Sequence, residues 1–325
     1  MRVEPDATEA VEERTQLLRR MRGVLERAEL VPPGSDVLRH PAAVEAVHST
    51  QRMLRSGPLS PEQRRTLTER LAGVSPTFFG PADPQEHLIR SVARALRSVP
   101  THLAGNGQPT TAEVAAWQGP EREALAQAIG LLTRVWPEAA AEVGRTVVEI
   151  ALLEGDAIDG FTDFTVHGAV LVNRTRLTTS AAGLPGPVRF AEALVHEGAH
   201  TRCNAAALTD PFLLPDAPDG PGGTDTDGKP DASGGRGVLL VATPLRADPR
   251  PLTGLFQQAV VLARSVLLYR RLARLDLGPV VDARYERLLG SARQAVDTLG
   301  THTDLLTAHG NRLLTECADA LGAPA

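Results

Sequence analysis

The clearest chemistry in this chain lies in five consecutive residues, His196-Glu197-Gly198-Ala199-His200. On a helix, side chains four positions apart leave one face about a turn apart, so both imidazoles can reach a single transition ion while Glu197 lies beside that face. The preceding Phe190-Ala191-Glu192-Ala193-Leu194-Val195 supplies the apolar flank that such a helix packs with. Zn²⁺ held this way serves hydrolysis, with Glu197 as the general base that deprotonates a water. Fe(II) held by few protein ligands keeps positions open for a 2-oxoacid and O₂.

The third ligand separates these chemistries. A peptidase pattern with glycine three and histidine six places after the second histidine needs those residues at positions held by Cys203 and Ala206. A downstream glutamate ligand fares no better, since none occurs between Glu197 and the distant Glu286. Asp210, Asp216 and Asp219 remain, in or beside a turn-rich stretch, whereas metal sites prefer rigid elements. Cys203 is either a thiolate ligand or, more commonly, a small buried apolar residue. Glu192, one turn before His196, reads as a solvated helix charge ahead of a carboxylate that orients the ring. His40, His48, His87 and His102 share no ligand spacing, and His302 and His309 read as ordinary helix-face residues. His167 joins the site only if its neighbouring strand borders the cleft.

The elements that must position these residues are mainly α with a small β-sheet, an α+β arrangement in which a helical amino-terminal region (1–145) packs on a metal-binding catalytic region (146–325). Three-and-four apolar spacing predicts a helix over Glu9 to Leu30, and Ser60-Pro61-Glu62-Gln63 starts another with a cap, a first-turn proline and an early acid. Further helical patterns cover Pro84 to Ser98, Thr111 to Trp117 and Glu121 to Leu132. Strands are predicted over Thr146 to Leu153, Gly168 to Asn173 and Val238 to Ala242, and helices over Val188 to Ala207, Pro251 to Leu275, Pro279 to Leu299 and Thr303 to Leu321. Between the motif helix and the third strand, Asp210 to Gly237 is crowded with Pro, Gly, Asp and Thr. It reads as a flexible surface loop, with a lid over the cleft as the sharper alternative.

Composition limits the partners. The 325 residues carry a net charge of -5, so no basic field is available to hold nucleic acid. The single lysine, Lys229, reflects an arginine habit of composition to which no function attaches. Two cysteines make no disulfide framework, no signal pattern opens the chain, and no apolar run approaches a membrane span, which together predict a cytoplasmic, non-membrane protein.

Phe190 to Asn204, taken with Thr243-Pro244-Leu245-Arg246-Ala247-Asp248-Pro249-Arg250-Pro251 and the helix to Leu272, resembles the 2-oxoglutarate-dependent HExxH-type peptide beta-hydroxylases of ribosomal peptide modification. The resemblance covers approximately residues 150 to 325. It implies Fe(II), 2-oxoglutarate and O₂ acting on a side-chain β-carbon of a precursor peptide, with His196 and His200 as iron ligands. A third histidine is implied at position 257, where this chain has Gln257, so the ion would be held by two histidines with Gln257, or with a carboxylate such as Glu197. The far carboxylate of 2-oxoglutarate calls for a guanidinium fork. Arg250, between two prolines, is the first candidate and Arg246 the second. Gly254 would let its helix approach the metal helix closely. The alternatives are a zinc metallopeptidase using Glu197, and a degenerate relative that binds peptide without turnover.

Overall fold

A computed structural model describes residues 1–98, 110–215, 239–244 and 246–322. The apolar run after residue 146 forms β3 (Glu149–Gly155), and the run after Gly168 forms β5 (Ala169–Asn173). The two pair in parallel, Ile150 opposite Val170 and Leu152 opposite Val172. Both strands are buried on both faces, which is why they read as continuous apolar runs without alternation. Ile150, Leu152, Val170 and Val172 face one layer of helices, while Ala151, Leu153, Ala169 and Leu171 face the other. β4 (Gly160–Thr162) pairs antiparallel with β5 at one edge. β1 (Gly80–Ala82) and β2 (Ala112–Ala115) share the far side of β3, the first parallel and the second antiparallel.

Two strands of this sheet therefore come from the half that reads as all helical. Thr111 to Trp117, predicted as helix, is instead the strand β2: the segment is too short to nucleate a helix alone, and its backbone pairs with β3 from Ala112 opposite Gly155 to Ala115 opposite Leu152. The Trp117 indole N–H then donates to the Ile150 carbonyl at 3.0 Å. Gly155 has φ +110°, and a Cβ there would sit 2.2 Å from the Thr111 carbonyl oxygen. Gly155→Ala is accordingly expected to cost about 2 to 4 kcal/mol, from backbone strain plus the clash. Urea unfolding of the variant checks this.

The remaining elements are helical: α1 (Ala7–Arg27), α2 (Ser35–Leu38), α3 (Pro41–Arg55), α4 (Pro61–Ala72), α5 (Glu86–Ser98), α6 (Gly119–Val135), α7 (Pro137–Thr146), α8 (Gly186–Thr209), α9 (Leu252–Leu272), α10 (Pro279–Gly300) and α11 (Ala308–Leu321), with a hairpin of β6 (Leu240–Thr243) and β7 (Arg246–Pro251). The cap read at Ser60 is present, with Ser60 and Gln63 satisfying each other's backbone N–H groups. α11 begins later than Thr303, because Thr307 caps it through Gly310 N–H.

α8 lies between sheet and bundle. Phe190 and Leu194 pack on the sheet, while Ala191, Val195, Cys203 and Ala206 join the core built by α9, α10 and α11. Among the polar residues of α8, His196, His200 and Asn204, at i, i+4, i+8 spacing, share the direction that opens on a cavity. α9 is at the centre of the bundle. Among the described residues, Leu252–Leu275 is the one helix long and apolar enough to cross a membrane, but 78% of its apolar window is buried inside the fold, as befits a core helix.

Of the predicted flexible stretch, Phe212 and Leu213 are buried, with Leu213 bridged to Leu306 and the Phe212 carbonyl accepting from Thr307 N–H. Residues 216–238, with Asp216 and Asp219 and the lid reading, lie outside the described residues.

Candidate metal centre

The rings of His196 and His200 stand edge to face with centroids 5.2 Å apart. Both line a cavity of about 640 Å³ between α8, β4, the β6–β7 hairpin and the start of α9. Burial lowers both imidazole pKa values. For His196 the neighbouring His200, Arg176 and Arg284 add to the effect, and for His200 a hydrogen bond to Gln257 opposes it. The rings are thus neutral at pH 7, the state that offers a lone pair to an ion.

Gln257 determines which lone pair His200 offers. The Gln257 amide N–H donates to Asn204 Oδ1 at 3.1 Å, which turns Oε1 toward His200, 3.0 Å from its Nδ1. An amide oxygen only accepts, so the proton of neutral His200 sits on Nδ1 and Nε2 carries the lone pair. Gln257 lines the cavity, as a ligand would, yet its oxygen is taken up by the ring. The arrangement gives Gln257 the work of fixing the His200 tautomer. Among the described residues, no other histidine, cysteine, aspartate or glutamate joins these two rings in a group of three within reach of one ion.

Glu197 is 5% exposed and also lines the cavity. Its Oε2 is buried without a hydrogen-bond partner, and burial raises its pKa to about 8 against the pull of Arg176. Room for it depends on β4, since a Cβ on Gly160 would come within 2.9 Å of Glu197 Oε1. A smaller cavity of about 190 Å³ shares Gly160, His196 and Glu197 and continues to Arg176, Glu192 and Arg284. Glu192 is not the solvated charge its sequence context suggests. It is buried, accepting from the Tyr269 hydroxyl at 2.6 Å and paired with Arg284, so it ties α8 to α9 and α10.

The hairpin brings Arg250 to the cavity wall, where Val241 is its strand partner, and Gly254 and Gln258 line the same cavity from α9. Arg246 opens β7 opposite Thr243, and its side chain lies outside the described residues. The other candidates fall elsewhere. Cys203 is fully buried in the bundle core, its thiol pushed up to about 12, which makes it an apolar residue and no thiolate ligand. His167 packs against Phe164, whose ring lines the cavity. Burial drives its imidazole down to about 4, and it is itself not among the lining residues. Asp210 bonds to His309, which lies on α11 and is buried against Phe212. Glu286 is exposed on α10.

Sequence reading missed one cluster altogether. His40, His87 and Glu149, all buried, place three metal-capable atoms within 4.8 Å of one another. No spacing could announce it, because the residues come from the start of α3, from α5 and from β3. Its hydrogen bonds close without an ion. His40 Nδ1 accepts from Ala42 N–H as the α3 cap, so Nε2 carries the proton and points to Glu149 Oε1 at 3.3 Å, while His87 Nε2 is 2.7 Å from Oε2. An ion on Nε2 of His40 would move that proton to Nδ1, facing another N–H. The group ties helix to sheet.

Comparison with protein-family models and with curated proteins gives no match to this chain.

Proposed function

We propose that the chain is a non-haem Fe(II), 2-oxoglutarate-dependent dioxygenase that hydroxylates a side-chain β-carbon in a precursor peptide. One observation carries the reading: two neutral imidazoles share a cavity with Arg250, and no third strong ligand accompanies them among the described residues. Two protein ligands leave positions open for a bidentate cosubstrate and O₂, and the Arg250 guanidinium in the same cavity offers the charge that a dicarboxylate cosubstrate calls for. Bound there, Fe(II) with 2-oxoglutarate and O₂ supplies the oxidising power for hydroxylation, with succinate and CO₂ as coproducts.

The chain's own residues do the positioning. His196 and His200 Nε2 hold the ion, Gln257 and Asn204 lock the His200 ring, and Arg250 offers a planar fork to the far carboxylate of the cosubstrate, with Arg246 as the second candidate. A peptide suits this site because β4 lines the cavity and, among the described residues, pairs on one side only, with β5, an edge to which an extended chain can add. A cytoplasmic setting fits the two free, buried cysteines.

The test is anaerobic addition of Fe(II) and 2-oxoglutarate, with a visible charge-transfer band as the expected result. Arg250→Ala is expected to weaken 2-oxoglutarate about tenfold or more, from loss of a charge-assisted bidentate contact, while iron affinity is kept. Equal loss of both, or of neither, removes Arg250 from this role. Stoichiometric zinc without the band, and peptide cleavage lost in Glu197→Gln, would assign the cavity to the metallopeptidase reading, in which Glu197 is the base.

A further inference from the structure

Away from the metal centre, α1, α2 and the residue that follows α2 enclose a hollow of about 350 Å³ whose lining includes Arg14, Arg19, Arg22 and Arg39, with Asp36 as its single carboxylate. This is an unusual lining for a chain of net charge -5. One acid against four guanidinium groups leaves a surplus of positive charge: Asp36 Oδ1 forms an ion pair with Arg39 Nη1 at 3.7 Å, outside hydrogen-bond range. The Arg39 side chain is 16% exposed and lies over the Phe78 ring, and its Nε is buried without a hydrogen-bond partner. Arg22 spends one N–H on Ser35 Oγ at 2.7 Å, and Arg14 one on the Arg145 carbonyl, both neutral acceptors. Burial holds the Arg14 pKa below the usual guanidinium value, and repulsion from Arg39 and Arg145 adds to this while Asp36 opposes it. Elsewhere the fold answers buried guanidinium with carboxylate, as Arg202 and Arg264 show. Here it leaves a concave surplus of forked donors.

We propose that this hollow binds a multivalent oxyanion, which the guanidinium forks match in charge and in planar geometry. Two sources share that chemistry: a free polyphosphoryl compound, and a run of acidic side chains in a peptide. The site is independent of the metal centre and stands whether or not that centre holds iron.

Titration calorimetry of the full chain with tripolyphosphate and, separately, with hexaglutamate tests it. At least one anion is expected to bind, more weakly as salt rises. Binding of tripolyphosphate alone assigns the phosphoryl source, and of hexaglutamate alone the peptide source. Arg22→Gln and Arg39→Gln are each expected to weaken binding about tenfold, and Asp36→Asn to tighten it. Without anion, Arg22→Gln is expected to melt no lower than the parent chain, because relief of repulsion offsets the lost Ser35 contact. A purely structural arginine would melt lower and leave anion affinity alone. Failure of the parent chain to bind either anion, or affinity unchanged in both arginine variants and in Asp36→Asn, overturns the proposal.

Discussion

His200→Ala is expected to lower Fe(II) affinity by more than about a hundredfold, beyond the usual effect of an outer residue, while the melting temperature of the metal-free chain stays within a few degrees of the parent. The ring is partly exposed to the cavity and its one hydrogen-bond partner, Gln257, keeps its bond to Asn204, so its loss opens space without stranding a buried charge. Gln257→Ala separates two roles. If the amide fixes the His200 tautomer, its removal costs about ten- to a hundredfold in metal affinity, as for other residues that orient a ligand. Asn204→Ala then costs less, since it only frees the amide to turn. Loss in Gln257→Ala as deep as in His200→Ala would make Gln257 a ligand. Calorimetry with Co(II) as an air-stable substitute reads all three variants, and His196→Ala gives the matching control.

Legibility in the sequence followed the range of the interaction. The α8 pair was readable because helical geometry alone places i and i+4 together, and the buried strands β3 and β5 were readable because burial on both faces writes itself as an apolar run. Arg250 stood out between its two prolines, which read as a helix start, but the strand β7 that carries it to the cavity wall did not, because those prolines argue against a strand. What sequence could not show depends on distant partners. Glu192 has the pattern of a surface helix charge, and only Tyr269 and Arg284, carried in by α9 and α10, make burial tolerable. The helical pattern at Thr111 to Trp117 gave way to pairing with β3, where backbone hydrogen bonds outweigh a fraction of a kcal/mol of propensity per residue. Gly160 has no pattern at all. Its role follows from the approach of Glu197 from another element, and glycine is the residue that allows it.

Arg202, two residues beyond His200, carries the largest stability expectation. Its side chain is fully buried and meets three carboxylates: Glu13 at 2.5 Å, Glu9 at 2.7 Å and Glu142. Arg264 closes the group from α9, pairing with Glu142 and donating to the Val3 carbonyl. The network fastens α8 to α1, α7 and α9 around a fully buried guanidinium, with Glu9 partly exposed at its rim. Arg202→Met removes the cation and strands buried negative charge, a loss expected to cost about 3 to 5 kcal/mol and to lower melting by roughly 10 °C. Arg202→Lys is expected to recover little, since one ammonium cannot reach three acceptors in fixed directions as a guanidinium does. Pairing Arg202→Met with Glu13→Gln should restore part of the loss, because the second change removes one of three carboxylates that then outnumber the two remaining buried cations, Arg264 and the Met1 ammonium, whereas Glu142 keeps Arg264. Guanidinium unfolding of the four chains measures the cycle. A loss under about 1 kcal/mol for Arg202→Met would mean that the carboxylates are hydrated, and that the apolar contacts of α8 with sheet and bundle hold the two histidines in place without this anchor.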